Sequence, residues 1–264
     1  MRNKEGSSRF VLMIVLVLAL AAFPATVSAN HSWGGYHWAR TANPFTIKLG
    51  DNVSGAWDAM LVTASNDWSQ STVMDTTIVT GGAKPRNCRP TTGRVEVCNA
   101  SYGNTGWLGV AQIWITGGTH ITQGTVKNND YYFGSSSYQY NNTAEMQHVI
   151  CQEIGHTFGL DHQDESGISL NTCMDYYHNT SASDTKSTHP NSHDYQQLQT
   201  IYQHLDSTTT IGSMPKAMAN GDFSSPNAWG KLVSQSANGR EAVYERDFGK
   251  GFKVVTYVIW VEAQ

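Results

Sequence analysis

Apolar residues recur at helical spacing in three stretches of the chain and alternate with polar ones in several others. Trp57, Met60, Leu61, Ala64 and Trp68 share one face of a helix predicted over Ala56–Trp68. Asn142 with Glu145 three residues on is a capping pattern. Met146, Ile150, Ile154 and Phe158 continue that second helix to Gly159, a residue suited to the left-handed turn that ends one. Tyr195, Leu198, Ile201, Tyr202 and Leu205 stripe a third, over His193–His204. Phe45–Leu49 alternates and stops at Gly50, and Thr76–Thr80 is β-branched and stops at Gly81-Gly82, so both read as strands. Arg94–Cys98, Leu108–Ile115 and Ile121–Lys127 read the same way. Asp206–Ala228, rich in Ser, Thr, Gly, Pro and Ala, reads as a linker or irregular loop. Beyond it, Ala242–Asp247 and Lys253–Trp260 alternate around Gly249-Lys250-Gly251 and predict a β-hairpin. This order of elements predicts an α+β fold.

The first residues stand apart. Arg2, Lys4 and Arg9 precede an apolar run from Phe10 to Phe23, and Val27-Ser28-Ala29 follow it. A basic start, a short apolar run and small residues are the marks of a cleaved secretory leader. The run, of about 14 residues, falls short of the roughly 20 that span a bilayer. We therefore expect a leader over 1–29, a domain over 30–205, a linker over 206–228 and a hairpin extension over 229–264, in a secreted, extracellular protein without a membrane anchor. The chain carries 17 basic and 21 acidic residues with no basic run, which gives no support for nucleic-acid binding. Four cysteines in an oxidising compartment allow three pairings. Cys88 and Cys98 flank a Pro-Thr-Thr-Gly turn, so local pairing is the economical choice, and it leaves Cys151 with Cys173.

The chemistry concentrates in Gln152-Glu153-Ile154-Gly155-His156-Thr157-Phe158-Gly159-Leu160-Asp161-His162. On a helix, positions 152 and 156 stand about 6 Å apart on one face and can converge on one ion. Glu153 lies about 100° round and reaches toward a bound water. If Gly159 reverses the chain, His162 returns as a third donor, and three donors with one open position describe a catalytic zinc site. His148 lies roughly 12 Å from His156 along a straight helix and does not substitute for Gln152. His120, His178, His189, His193 and His204 read as surface or structural residues. Asp164 and Glu165 form a candidate calcium pair.

This segment resembles the metzincin signature H-E-x-x-H-x-x-G-x-x-H at Glu153, His156, Gly159 and His162. Cys173-Met174-Asp175-Tyr176 resembles that family's Met-turn. The resemblance, matrixin-like in its order of elements from about Pro44 to His204, implies a zinc metallopeptidase. Its expected fold is a twisted mixed sheet with an active-site helix, a Met-turn, a C-terminal helix and the small hairpin extension. It further implies a monomer acting on peptide or protein substrates. Zinc would sit on Gln152, His156 and His162, Glu153 would be the general base, Met174 the floor, and Tyr176 a donor to the developing oxyanion. Pairing of Cys151 with Cys173 would brace helix to floor. Trp107–Ile115 falls where such a sheet has its exposed edge strand, open to an added substrate strand. The departure is Gln152 in place of histidine, with the same reach but an oxygen donor that zinc favours less. A catalytically impaired peptide-binding protein of the same fold is the alternative.

Overall fold

The computed structural model describes residues 31–209 and 216–262; the leader expected over 1–29 lies outside them. Among these residues the strands are β1 (His37–Trp38), β2 (Phe45–Asn52), β3 (Met74–Thr80), β4 (Arg94–Ala100), β5 (Trp107–Thr116), β6 (His120–Asn129), β7 (Lys231–Gln235), β8 (Glu241–Asp247) and β9 (Lys253–Trp260). They form one sheet in the order β3-β2-β4-β6-β5-β9-β8-β7, and β1 pairs with β6 off that path. The β3-β2-β4-β6 half is parallel, and the half from β6 to β7 is antiparallel. Helices α1 (Ala56–Trp68) and α3 (Thr143–His156) pack together against the sheet, the one-turn α2 (Asp130–Phe133) comes between them in the chain, and α4 (Ser192–Ile201) follows. The fold is therefore α+β with a mixed sheet.

Local chemistry accounts for the helices. The α1 stripe buries Trp57, Leu61, Ala64 and Trp68. Asn142 caps α3, its side chain accepting from the Glu145 amide, and Asn191 with Asp194 forms a reciprocal capping box on α4. Gly159 ends the turn after α3 at φ 93°, and a β-carbon there would collide with the Tyr36 carbonyl oxygen. Both disulfides, Cys88–Cys98 and Cys151–Cys173, are formed.

Two expectations change. β5 is not an edge: it pairs with β6 on one side and with β9 on the other. All ten of its residues are buried. Ala111, Ile113 and Ile115 face the main core, and Trp107, Val110 and Trp114 face a second core with Met218, Phe223, Trp229, Val254 and Val258. A strand apolar on both faces needs cover on both, and its open edge would leave unpaired backbone groups. The terminal hairpin supplies the pairing, so it is built into the sheet. The region expected to be a linker supplies the cover through Met218 and Phe223, its residues 210–215 lying outside the described ones. β7 adds a strand that the sequence reading missed.

Gly159→Ala is expected to lose at least about 2 kcal/mol of stability, since a left-handed alanine costs roughly 1–2 kcal/mol before the Tyr36 contact is counted. Denaturant unfolding of parent and variant measures it; equal midpoints would mean the turn relaxes freely.

Candidate metal centre

Every residue of α3 from Ala144 to His156 is buried, polar ones included. A helix so enclosed has to find its polar partners in other elements. At its N-terminal end Glu145 accepts from His178 Nδ1 (2.8 Å), the Asn179 amide (2.8 Å) and Arg240 Nη2 (2.9 Å). Arg240 also donates to the Tyr176 carbonyl at 3.2 Å. Burial alone would raise the Glu145 carboxyl, but these partners outweigh it and hold it below the usual carboxylate range. His148 Nε2 lies 3.2 Å from the Asp175 carbonyl, occupied away from His156.

At the other end the expected residues gather. His156 Nδ1 lies 3.0 Å from the Leu160 carbonyl, and its ring stacks on Tyr257 of β9 at 4.2 Å. This contact fixes the tautomer and leaves Nε2 as the donor. After the turn at Gly159 the His162 ring returns to 4.5 Å from that of His156. Its Nδ1 faces the Tyr176 hydroxyl (3.0 Å) and Asp161 Oδ1 (3.2 Å), and its Nε2 is in close contact with the Glu241 carboxylate. His156, His162 and Glu241 each offer a donor atom within 4.8 Å of the other two. Burial and then the neighbouring His162 push His156 down to about 3, so it is neutral. Burial also opposes charge on His162, but Glu241 and Asp161 prevail and raise it.

Gln152 stands beside this set. Its Nε2 lies 3.2 Å from the Asp175 carbonyl and 3.4 Å from each Glu241 oxygen, while its Oε1 has no hydrogen-bond partner. Glu153 is wholly buried. Neither oxygen makes a full hydrogen bond, and the Ala111 backbone nearby offsets only part of the cost of burial. Burial first, and the Glu241 charge second, drive its carboxyl well above the usual range. Gly109 makes the room: a β-carbon there would come within 2.6 Å of Glu153 Oε1. Met174 lies under the helix, its Sδ 2.5 Å from where Gly155 would carry a β-carbon, and Cys151–Cys173 ties the two segments.

Gln152, Glu153, His156, His162, Met174 and Tyr176 are thus neighbours, as expected. The Tyr176 hydroxyl is engaged by His162. Asp164 accepts from the Ser166 amide and hydroxyl and belongs to neither of the two donor groups found among the described residues. Sequence reading missed Arg240 and Glu241. An Arg-Glu pair opening an apolar-alternating strand was the available signal, but nothing local said what it would meet. The chain matches no family model, and no curated protein resembles it significantly.

Arg240→Leu leaves Glu145 buried without its guanidinium partner. Removing one member of a buried pair costs about 3–5 kcal/mol. Denaturant unfolding of the variant should show a loss of about 3 kcal/mol; a loss under about 1 kcal/mol would mean that His178 and the Asn179 amide suffice.

Proposed function

We propose that this chain is a secreted, zinc-dependent peptidase of the metzincin type, in a closed form. The observation that carries the reading is the convergence of His156, His162 and Glu241 beside the unpartnered Glu153 carboxylate. Two imidazoles and a carboxylate form a donor set of the kind used in catalytic zinc sites. The residues fit a cation in a second respect. In its absence the Glu241 charge is answered by a proton on His162, so a dication would take over a role already present.

A bound zinc would polarise a peptide carbonyl and acidify a water. The chain's own groups do the rest. Glu153, buried beside the donor set with both oxygens unbonded, would be the group to take a proton from the attacking water and return it to the leaving amine. Tyr176 and Asp161 orient His162 through Nδ1, and the Leu160 carbonyl does the same for His156. Gln152 steadies Glu241 with its amide. An extended substrate that adds to β5 has to displace β9, which makes the hairpin the element that governs entry.

The same pairing favours a second reading, a metal-binding member of the fold that cuts nothing. Full-length protein assayed on a mixed peptide library, with zinc and with chelator, separates the two. Zinc-dependent cleavage supports the first reading, and stoichiometric zinc without cleavage supports the second.

Two substitutions test the roles. Glu153→Gln should keep metal content and lower cleavage 10²–10⁴-fold, the usual loss for a general base; activity within about threefold of the parent would place the base elsewhere. Glu241→Gln should weaken zinc binding at least about tenfold in a competitive titration, the size of effect seen even for groups one shell further out. Unchanged affinity would remove Glu241 from the donor set.

A further inference from the structure

A second constellation lies away from α3. His37 is in β1, His120 opens β6 directly opposite it in register, and His204 and Asp206 lie on the tail that follows α4. Asp206 Oδ1 lies 3.5 Å from His37 Nε2, 3.3 Å from His120 Nε2 and 3.7 Å from His204 Nε2. His37 Nε2 and His204 Nε2 are 3.2 Å apart. Three imidazoles from three separate segments thus turn the same ring nitrogen toward one carboxylate oxygen.

We propose that His37, His204 and Asp206 bind a zinc-class divalent cation, with His120 completing the site. Around a tetrahedral zinc with bonds of about 2.0–2.2 Å, neighbouring donors stand about 3.3–3.6 Å apart. The His37–His204, His37–Asp206 and His204–Asp206 separations of 3.2, 3.5 and 3.7 Å are those edges within a few tenths of an ångström. Donor atoms of these three residues form one of the two groups within 4.8 Å among the described residues. His120 touches the carboxylate from outside that group. Its side chain is one-third exposed, so its ring has room to swing onto the ion.

The surroundings hold the donors in place. His37 Nδ1 lies 2.8 Å from the Gly35 carbonyl, which assigns the proton to Nδ1 and frees Nε2. Asp206 Oδ2 accepts from the Arg40 amide (3.2 Å) and from Arg40 Nη1 (2.8 Å), leaving Oδ1 to the histidines. Arg40, itself buried, also donates to the Tyr202 and His204 carbonyls, so the tail is fixed before any ion arrives. Only one hydrogen can lie between His37 Nε2 and His204 Nε2, and a second would set two N–H groups against each other at 3.2 Å, so one of the two nitrogens presents a lone pair to this space. Imidazole-rich donors select zinc and its transition-metal neighbours over calcium or magnesium.

Such an ion would pin β1, the start of β6 and the tail together. Its consequence reaches the other site, because Tyr36, next to His37, presses its carbonyl on Gly159 at the turn that delivers His162. The proposal does not depend on catalysis at α3.

The test uses full-length protein stripped with chelator and titrated with zinc against a chromophoric competitor. The parent, His156→Ala, His204→Ala and Asp206→Asn are compared, with near-ultraviolet circular dichroism reporting the fold. His204 is half exposed and Asp206→Asn keeps the side-chain shape, so both should fold. We expect His156→Ala to retain a zinc site that raises its melting temperature, and His204→Ala and Asp206→Asn to lose that site or bind at least tenfold more weakly. His120→Ala should weaken it without changing the number of ions bound. Zinc binding by folded His204→Ala equal to the parent in number and affinity overturns the proposal, as does His156→Ala whose melting temperature zinc leaves unmoved.

Discussion

Arg240 and Glu241 are adjacent, oppositely charged and buried, and the architecture around α3 hangs on them. Arg240 answers Glu145 at the start of the helix, and Glu241 faces His162 and Gln152 near its end. A helix with Glu145, His148, Gln152, Glu153 and His156 enclosed would be untenable if these groups had only apolar neighbours, because each unpaired buried charge costs several kcal/mol. Two neighbouring side chains at one strand start thus serve both ends of the helix, Arg240 on Glu145 and Glu241 on Gln152 and His162. Glu241 also helps fix the register of β8, since a slip by one residue would carry it to the other face of the sheet.

That register passes to β9, and through β9 to β5. Tyr257, paired with Ala111 and Val243, stacks on the His156 ring, so the strand that covers β5 also holds that imidazole in place. Pairing and site geometry are therefore coupled: whatever loosens β9 frees the β5 edge and disturbs both His156 and Glu241. On the peptidase reading, access and ligand geometry change together and cannot be tuned independently.

How much of this was legible in the sequence follows from range. α1 and α3 were, because periodicity, an Asn cap and Gly159 act within a few residues. The disulfides were, one by its turn and the other by exclusion. Glu241 was not, because a carboxylate on a strand acquires its meaning from a helix 89 residues earlier, and alternation specifies a hairpin without naming its partner strand. The segment before the hairpin misled through its composition: among many small polar residues, Met218 and Phe223 carry the burial, and Trp229 just beyond it shares their core. His37, His120, His204 and Asp206 likewise share no spacing pattern. A parallel β1–β6 pairing and the tail after α4 bring them together.

Gln152 gains a reason from Glu241. Read alone, glutamine at the first position of a three-histidine pattern is a weakened ligand, and histidine there would be expected to bind zinc better. In the folded chain its amide nitrogen faces two acceptors at once, the Asp175 carbonyl and the Glu241 carboxylate. An amide NH2 has two hydrogens to give, whereas a neutral imidazole has one N–H. Histidine at 152 would thus reach only one of these two acceptors and set a third imidazole beside His156, His162 and the Glu241 carboxylate. On the peptidase reading, in which β8 supplies the third donor, position 152 is better filled by a residue that holds that donor than by one that competes with it.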